Sequence, residues 1–193
     1  MNIGIFEDDG CRALYPLAWL RAVCELRCGR ERLCDKVRTH VGPVAGLWLR
    51  DELMPVAAER LSLVPPDAQA DWLLLNARAV VQERFEPPAV GSIWQSDGTL
   101  VAARVAAETV AALQPGMFRD AAALGEWTRG LKSATPPATA LRLVEHPWQL
   151  VLWNAEELRR ECTTGGEHYG EVYAGAHLLN ASEIHIAEGA IVK

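Results

Sequence analysis

The 193-residue sequence has no long hydrophobic run. Its best apolar stretch, residues 72–75, falls far short of the ~20 residues that span a bilayer, which argues against a membrane partner. No leader is visible either, because Met1 runs straight into a short apolar strand and then acids, so the chain is expected in the cytoplasm. A basic balance is also missing. The net charge of -6 argues against a nucleic-acid partner, since phosphate backbones want a basic face. A small phosphorylated ligand stays open, because a few local arginines suffice for one.

Five cysteines (Cys11, Cys24, Cys28, Cys34 and Cys162) include no Cys-x-x-Cys pair and no completing histidine set. Zinc and disulfide frameworks are therefore disfavoured, and free thiols acting as small buried hydrophobes are expected. The five histidines form no catalytic constellation; His146 and His185 are expected to be solvated or packed. All seven tryptophans are expected to serve core or interface packing.

Half of the residues are hydrophobic and 23% are charged, which suits one medium domain plus an appendage. Residues 2–6 read as a strand that ends in the polar run Glu7-Asp8-Asp9-Gly10. Open α/β sheets place ligands beyond such strand ends, although a plain surface turn before a helix is the alternative. A helix is expected over 28–37, a strand over 44–49, and a short helix over 52–60. Residues 72–75 read as a buried parallel strand tipped by Asn76-Ala77-Arg78. Residues 92–95 and 99–104 flank Ser96-Asp97-Gly98, a hairpin signal. Helices are expected over 105–113, 118–131 and 155–160, with a loop over 133–138 and a strand over 141–144. Alternating strands and helices imply an α/β domain: a Rossmann-like, mixed, mostly parallel sheet with flanking helices.

After Cys162 the breaker cluster Thr163-Thr164-Gly165-Gly166 marks a change of character. Ile184, Ile186 and Ile191 recur near a six-residue rhythm with small residues between, as the inward faces of a left-handed β-helix require. Two coils cannot stand alone, because each repeat buries its face only on a neighbour. The expected division is 1–165 for the α/β domain and 166–193 for a linker and first coil. On this reading the chain stops as the β-helix begins; a frayed C-terminal strand is the alternative.

The opening pattern Asp8, Asp9, Arg12, Leu14, Pro16, Leu17, Arg21, Val23, Glu25, Leu26, Arg27 and Gly29 resembles that of a known bacterial family. Residues 73–78, 97–104 and 147–158 match later segments in the same order. The family is an alternate form of the bifunctional N-acetylglucosamine-1-phosphate uridyltransferase/glucosamine-1-phosphate acetyltransferases. The resemblance implies a nucleotidyltransferase domain that forms a UDP-N-acetylglucosamine-type product from a nucleoside triphosphate and a sugar 1-phosphate, releasing pyrophosphate. It also implies a homo-oligomer, trimeric where a full β-helix is present, and a magnesium cofactor.

Carried residue by residue, the resemblance makes Arg12 and Arg21 the catalytic phosphate-binding cations. Asp8, Asp9, Gly10, Arg27, Asn76 and Arg78 become substrate contacts, and Asp8, Asp9 and Asn154 the metal side. Two departures from the superfamily pattern bear on this. The loop after the first strand retains one glycine, Gly10, and the strand tip that elsewhere ends in Gly-Asp is here Asn76-Ala77-Arg78. Either the acidic loop supplies the missing charge, or the domain is a catalytically silent head that binds a sugar nucleotide or supports an acyltransferase β-helix. For Arg27, an ion pair with Glu25 weighs about equally with a ligand role.

Overall fold

The structure, a computed structural model, describes residues 1–162 and 165–193. Thr163 and Thr164 of the expected breaker cluster lie outside the described residues.

Three short parallel strands set the architecture. β1 (Asn2–Phe6), β2 (Val44–Trp48) and β3 (Trp72–Asn76) are apolar enough to be covered on both faces, and every residue of β1 and β3 is buried. β1 lies between the other two, with Phe6 opposite Trp48 on one side and Asn76 on the other. The chain then builds outward from β3 with the hairpin β5 (Ser92–Ser96) and β6 (Thr99–Val105) and the edge strand β7 (Lys132–Ala134), giving the order β2-β1-β3-β6-β5-β7. β6 runs antiparallel to both β3 and β5. The expected mixed, mostly parallel sheet is present, and β3 carries both kinds of neighbour.

The hairpin turn follows from its sequence. Asp97 and Gly98 both take positive φ, 48° and 77°, as a two-residue turn matching the strand twist requires. β4 (Ala79–Val81), directly after the polar tip Asn76-Ala77-Arg78, was not expected from the sequence. It pairs with β8 (Leu141–Leu143) in a small antiparallel sheet of its own.

The two faces of the main sheet carry separate cores. Ile3, Ile5, Leu73 and Leu75 point to one, under α1 (Leu33–His40) and α5 (Pro147–Glu161). Phe6, Leu74, Trp48 and Trp72 point to the other, with Phe118. Leu73, Leu74 and Leu75 are fully buried, and each contributes roughly 1.5–3 kcal/mol relative to exposure. On the second face Gly4 is required by the tryptophans: a β-carbon there would stand 2.6 Å from the Trp48 ring.

Several boundaries depart from the sequence expectations. The helix expected over 28–37 begins only at Leu33, because Gly29 adopts φ +84° and Arg27 bridges Arg32. α2 (Met54–Arg60) starts two residues later than expected, with proline in its first turn. The helix expected over 105–113 shrinks to α3 (Ala107–Val110), since β6 continues through Val105. That over 118–131 divides into a 3₁₀ turn, Pro115–Arg119, and α4 (Ala121–Thr128), where the Asp120 carboxylate accepts from the Ala122 and Ala123 N–H groups. Part of the expected loop over 133–138 is a strand, β7 (Lys132–Ala134), pairing parallel to β5 at the sheet edge. α5 takes in the whole apolar segment before residue 155, helped by Pro147 at its first turn.

Four cysteines are buried thiols and Cys162 is an exposed one. Trp48, Trp72 and Trp94 are buried, whereas Trp19 and Trp148 stand 61% and 58% exposed, so packing within this chain does not account for those two. In the C-terminal segment β9 (Glu171–Val172) pairs parallel with β10 (Ile191–Val192), and His168 bridges Ile186 in the same sense. Ile186 is buried there, 5% exposed. Among the described residues no helix is long and apolar enough to cross a membrane.

Candidate functional site

The C-terminal ends of β1, β2 and β3 meet at one rim of the sheet. β1 is the point where the strand order reverses, and such a crevice is where open α/β sheets bind ligands. Each of the three ends delivers polar groups: Glu7 and Asp8 after β1, Arg50 after β2, and Asn76 at the end of β3 with Arg78 just after it. All five side chains are buried.

Two carboxylate–guanidinium pairs organise this rim. Glu7, fully buried, accepts from Arg50 Nε at 2.9 Å and Arg50 Nη2 at 3.2 Å. It also accepts from the backbone N–H groups of Val23 and Arg50. Arg50 goes on to donate to the carbonyls of Ala18 and Arg21 and to the Tyr15 hydroxyl. The whole segment between Tyr15 and Val23, which has little regular structure, is thereby tied to the sheet. Burial lowers the Arg50 pKa, and the Glu7 hydrogen bonds and charge outweigh it, so the net shift is upward. Sequence reading missed this pair. Its only signal was a lone arginine directly behind the second strand, mirroring the acids behind the first.

The second pair joins residues that the sequence did single out. Arg78 Nε donates to Asp8 Oδ1 at 2.9 Å and Nη2 to Asp8 Oδ2 at 2.5 Å, while Asn76 Nδ2 reaches the same Oδ2 at 2.9 Å. Arg78 Nη1 donates to the Val144 carbonyl, and Asn76 Oδ1 accepts from the Arg78 N–H. Gly10 closes over this pair: a β-carbon there would lie 2.5 Å from Arg78 Cζ. Asp8, Gly10, Asn76 and Arg78 therefore form one constellation.

The remaining expected residues lie on the loops outside it. Asp9 and Arg12 form an exposed pair at 3.0 Å within the 3₁₀ turn Asp9–Leu14. Arg21 is exposed at the end of the segment pinned by Arg50. Arg27 is exposed and donates to the Arg30 carbonyl; its neighbour Glu25 turns instead to the Ala22 N–H and, at 3.7 Å, to Arg60. Asn154 sits on α5, where its Oδ1 accepts from the Gly29 N–H at 3.0 Å. Arg27 and Asn154 share a cleft of about 330 Å³ with Leu17, Leu26, Leu150 and Val151. His146 stacks on Trp148, and His185 lies 3.5 Å from the Glu167 carboxylate.

A magnesium ion wants several free, hard oxygens. Both Asp8 oxygens are already engaged by Arg78 and Asn76, Asp9 is paired with Arg12, and Asn154 holds Gly29. Among the described residues no three His, Cys, Asp or Glu side chains gather as a metal set. As arranged, Asp8, Asp9 and Asn154 do not fit the ion, which would have to displace Arg78 or Asn76.

Burial pushes the Cys11 thiol up to about 11, reinforced by the Glu7 charge, so this cysteine beneath the loop stays protonated and unreactive.

Sheet, helices and a polar rim of paired carboxylates and arginines at the strand-order reversal define a Rossmann-like α/β domain. Its sequence places it further: residues 3–166 match the family described as Sugar nucleotidyl transferase, and the chain belongs to that family. No curated protein matches the sequence. One solved structure it resembles is a provisionally assigned glucose-1-phosphate thymidylyltransferase from Bacillus anthracis in complex with a sucrose. The two share 11% identity with a TM-score of 0.46, over 81% of this chain and 94% of that one.

Proposed function

We propose that the domain forms a sugar nucleotide, of the UDP-N-acetylglucosamine type, from a nucleoside triphosphate and a sugar 1-phosphate. An oxygen of the sugar phosphate attacks the α-phosphorus; the bond to the bridging oxygen breaks, and pyrophosphate departs with the electron pair. Such chemistry is mostly positioning and charge neutralisation. The observation that carries the reading is the convergence of charged residues from three parallel strand ends at the switch point of a sugar nucleotidyl transferase family fold. In this reading Arg12 and Arg21, exposed on loops that the two buried pairs hold in place, face the phosphates. Arg27, in the adjoining apolar cleft, contacts the sugar side. Asp8, Gly10, Asn76 and Arg78 shape the floor.

A second reading has its own support: the saturation of Asp8 by Arg78 and Asn76. A site so closed suits a domain that binds a sugar nucleotide without turning it over, as a head for a β-helix. Residues 166–193 would then begin that helix, an assignment supported by the parallel pairing of His168 with Ile186 and of Val172 with Val192. Trimers would follow in a protein carrying the full helix.

Pyrophosphate release separates the two. The protein is supplied with UTP and N-acetylglucosamine 1-phosphate, then a panel of other nucleotides and sugar phosphates, each with and without Mg²⁺. Release with any pair supports the first reading. No release anywhere, with UDP-sugar binding by calorimetry, establishes the second.

A further inference from the structure

One cation near the rim has no partner. The side chain of Arg119 makes no ion pair or hydrogen bond among the described residues, and its Nη1 is buried. Two other buried guanidinium nitrogens lack hydrogen bonds, Arg38 Nη2 and Arg142 Nε. Both of those arginines, however, are ion-paired through another nitrogen, Arg38 to Asp35 and Arg142 to Glu156 and Glu157. Arg119 alone of the three has no ion pair through any of its nitrogens among the described residues, and it is half-buried, with Nη1 its one buried, unpartnered nitrogen.

Its place is well defined. Phe118, beside it, is 1% exposed and stacks on Phe6 with ring centroids 4.4 Å apart. Phe6 ends β1 and immediately precedes Glu7. On the other side Asp120 is held as the cap of α4. Arg119 is therefore anchored at both neighbours and follows a residue packed on the end of β1, on the second face of the sheet. Its charge acts on the Cys11 thiol, at the third residue of the Asp9–Leu14 turn, as the smallest of the influences there, in the downward direction.

A buried guanidinium nitrogen without a partner costs free energy, and a ligand oxyanion is one group that can complete it. The carboxylates that follow β1, Glu7, Asp8 and Asp9, are committed to Arg50, Arg78 and Arg12. We propose that Arg119 is a phosphate-binding residue of the strand-end crevice, completed by an oxyanion of the bound ligand. Its planar fork suits two phosphate oxygens at once. The inference rests on the reading that this crevice takes a phosphorylated ligand.

The test uses inorganic pyrophosphate, inorganic phosphate, UTP and N-acetylglucosamine 1-phosphate as separate probes, titrated calorimetrically at low salt into wild type, Arg119→Met, Arg119→Lys and Arg129→Gln. Arg129 is an exposed arginine beyond α4 and controls for net charge. Arg119→Met should weaken pyrophosphate binding about ten- to hundredfold, the scale of a charge-assisted contact. Arg119→Lys should bind in between, and Arg129→Gln as wild type. The probe losing most identifies whether the triphosphate or the sugar phosphate is held. Melting separates ligand from structural roles: Arg119→Met should melt no lower than wild type, since it removes an unpaired buried nitrogen. Equal pyrophosphate affinity in wild type and Arg119→Met overturns the proposal, as does wild type that binds none of the probes. Turnover is measured separately, so a silent domain that binds pyrophosphate through Arg119 overturns only the transferase reading.

Discussion

The guanidinium of Arg78 lies directly under Gly10, so that a β-carbon on Gly10 would stand 2.5 Å from Arg78 Cζ and 2.6 Å from its Nη2. The acidic loop after β1 is thus seated on a cation from the end of β3, with Asp8 gripping that cation from the side. A single residue without a side chain makes this closure possible.

Gly10→Ala should therefore lift the loop or force Arg78 off Asp8. A loss of about 1–3 kcal/mol is expected, the usual scale of overpacking a tight site. Urea denaturation reads it, and Arg78→Ala in the Gly10→Ala background should be less than additive, because the clash is then gone.

Glu7→Gln should be among the most damaging single changes, costing about 3–5 kcal/mol, because it strands the buried Arg50 charge. Removing both charges, as Glu7→Gln with Arg50→Met, should recover part of that loss. A double-mutant cycle by chemical denaturation measures the coupling; simple additivity would mean that the pair does not act as a unit.

Lys36 is 1% exposed between α1 and α5, 2.6 Å from Glu157 and paired with Glu161 as well. Burial lowers its pKa, and the hydrogen bonds and charges of the two glutamates outweigh it, leaving a net rise above the ordinary 10.5. A group raised on folding gives stability that is complete below its unfolded pKa and lost as pH climbs through the folded one. The protein should hold its Lys36 stabilisation through neutral pH and begin to lose it only above about 10.5. Lys36→Met should cost about 3–5 kcal/mol at pH 7 by stranding both carboxylates, and should flatten the alkaline limb of the melting-temperature profile.

Arg12 and Arg21 are exposed, and an exposed pair such as Arg12–Asp9 adds about 0–1 kcal/mol to stability. Arg12→Ala and Arg21→Ala should melt with wild type, yet weaken UTP binding about tenfold or more if they meet phosphate. Parallel calorimetry and melting give both numbers. Unchanged UTP affinity in both variants would remove these residues from the proposed site.

Of the five cysteines, four are buried, and burial pushes Cys11 and Cys28 up to about 11. Native protein treated with iodoacetamide at pH 7.5 should be alkylated at Cys162 first, with the rest reacting only on denaturation. Peptide mass spectrometry identifies the site, and early labelling of Cys11 would show the loop opening.

Some of this was legible in the residues alone. The continuous apolar runs of β1 and β3, the Asp-Gly hairpin and the polar tips at both strand ends are local signals. Each depends on the burial or backbone freedom of a few adjacent residues. They pointed to the polar ends of β1 and β3; Asp8, Gly10, Asn76 and Arg78 were named as substrate contacts by the family resemblance, and the structure brings those four together. Helix boundaries were less legible, because Gly29, Asp120 and the extension of β6 through Val105 cut into segments whose composition was helical throughout.

What only the tertiary structure decided is which charge meets which. Asp8 and Arg78 are 70 residues apart in sequence, and Glu7 and Arg50 are 43 apart. Nothing in local spacing distinguishes a carboxylate free to hold magnesium from one whose two oxygens are already taken. Chain order supplied the acids and the arginines, and parallel pairing of β1 with β2 and β3 set their partners by bringing three strand ends to one rim. Arg119 shows the same division. In sequence it is an ordinary arginine, and only the tertiary structure, with Phe118 stacked on Phe6, sets it near the end of β1 with a buried nitrogen that no described residue partners.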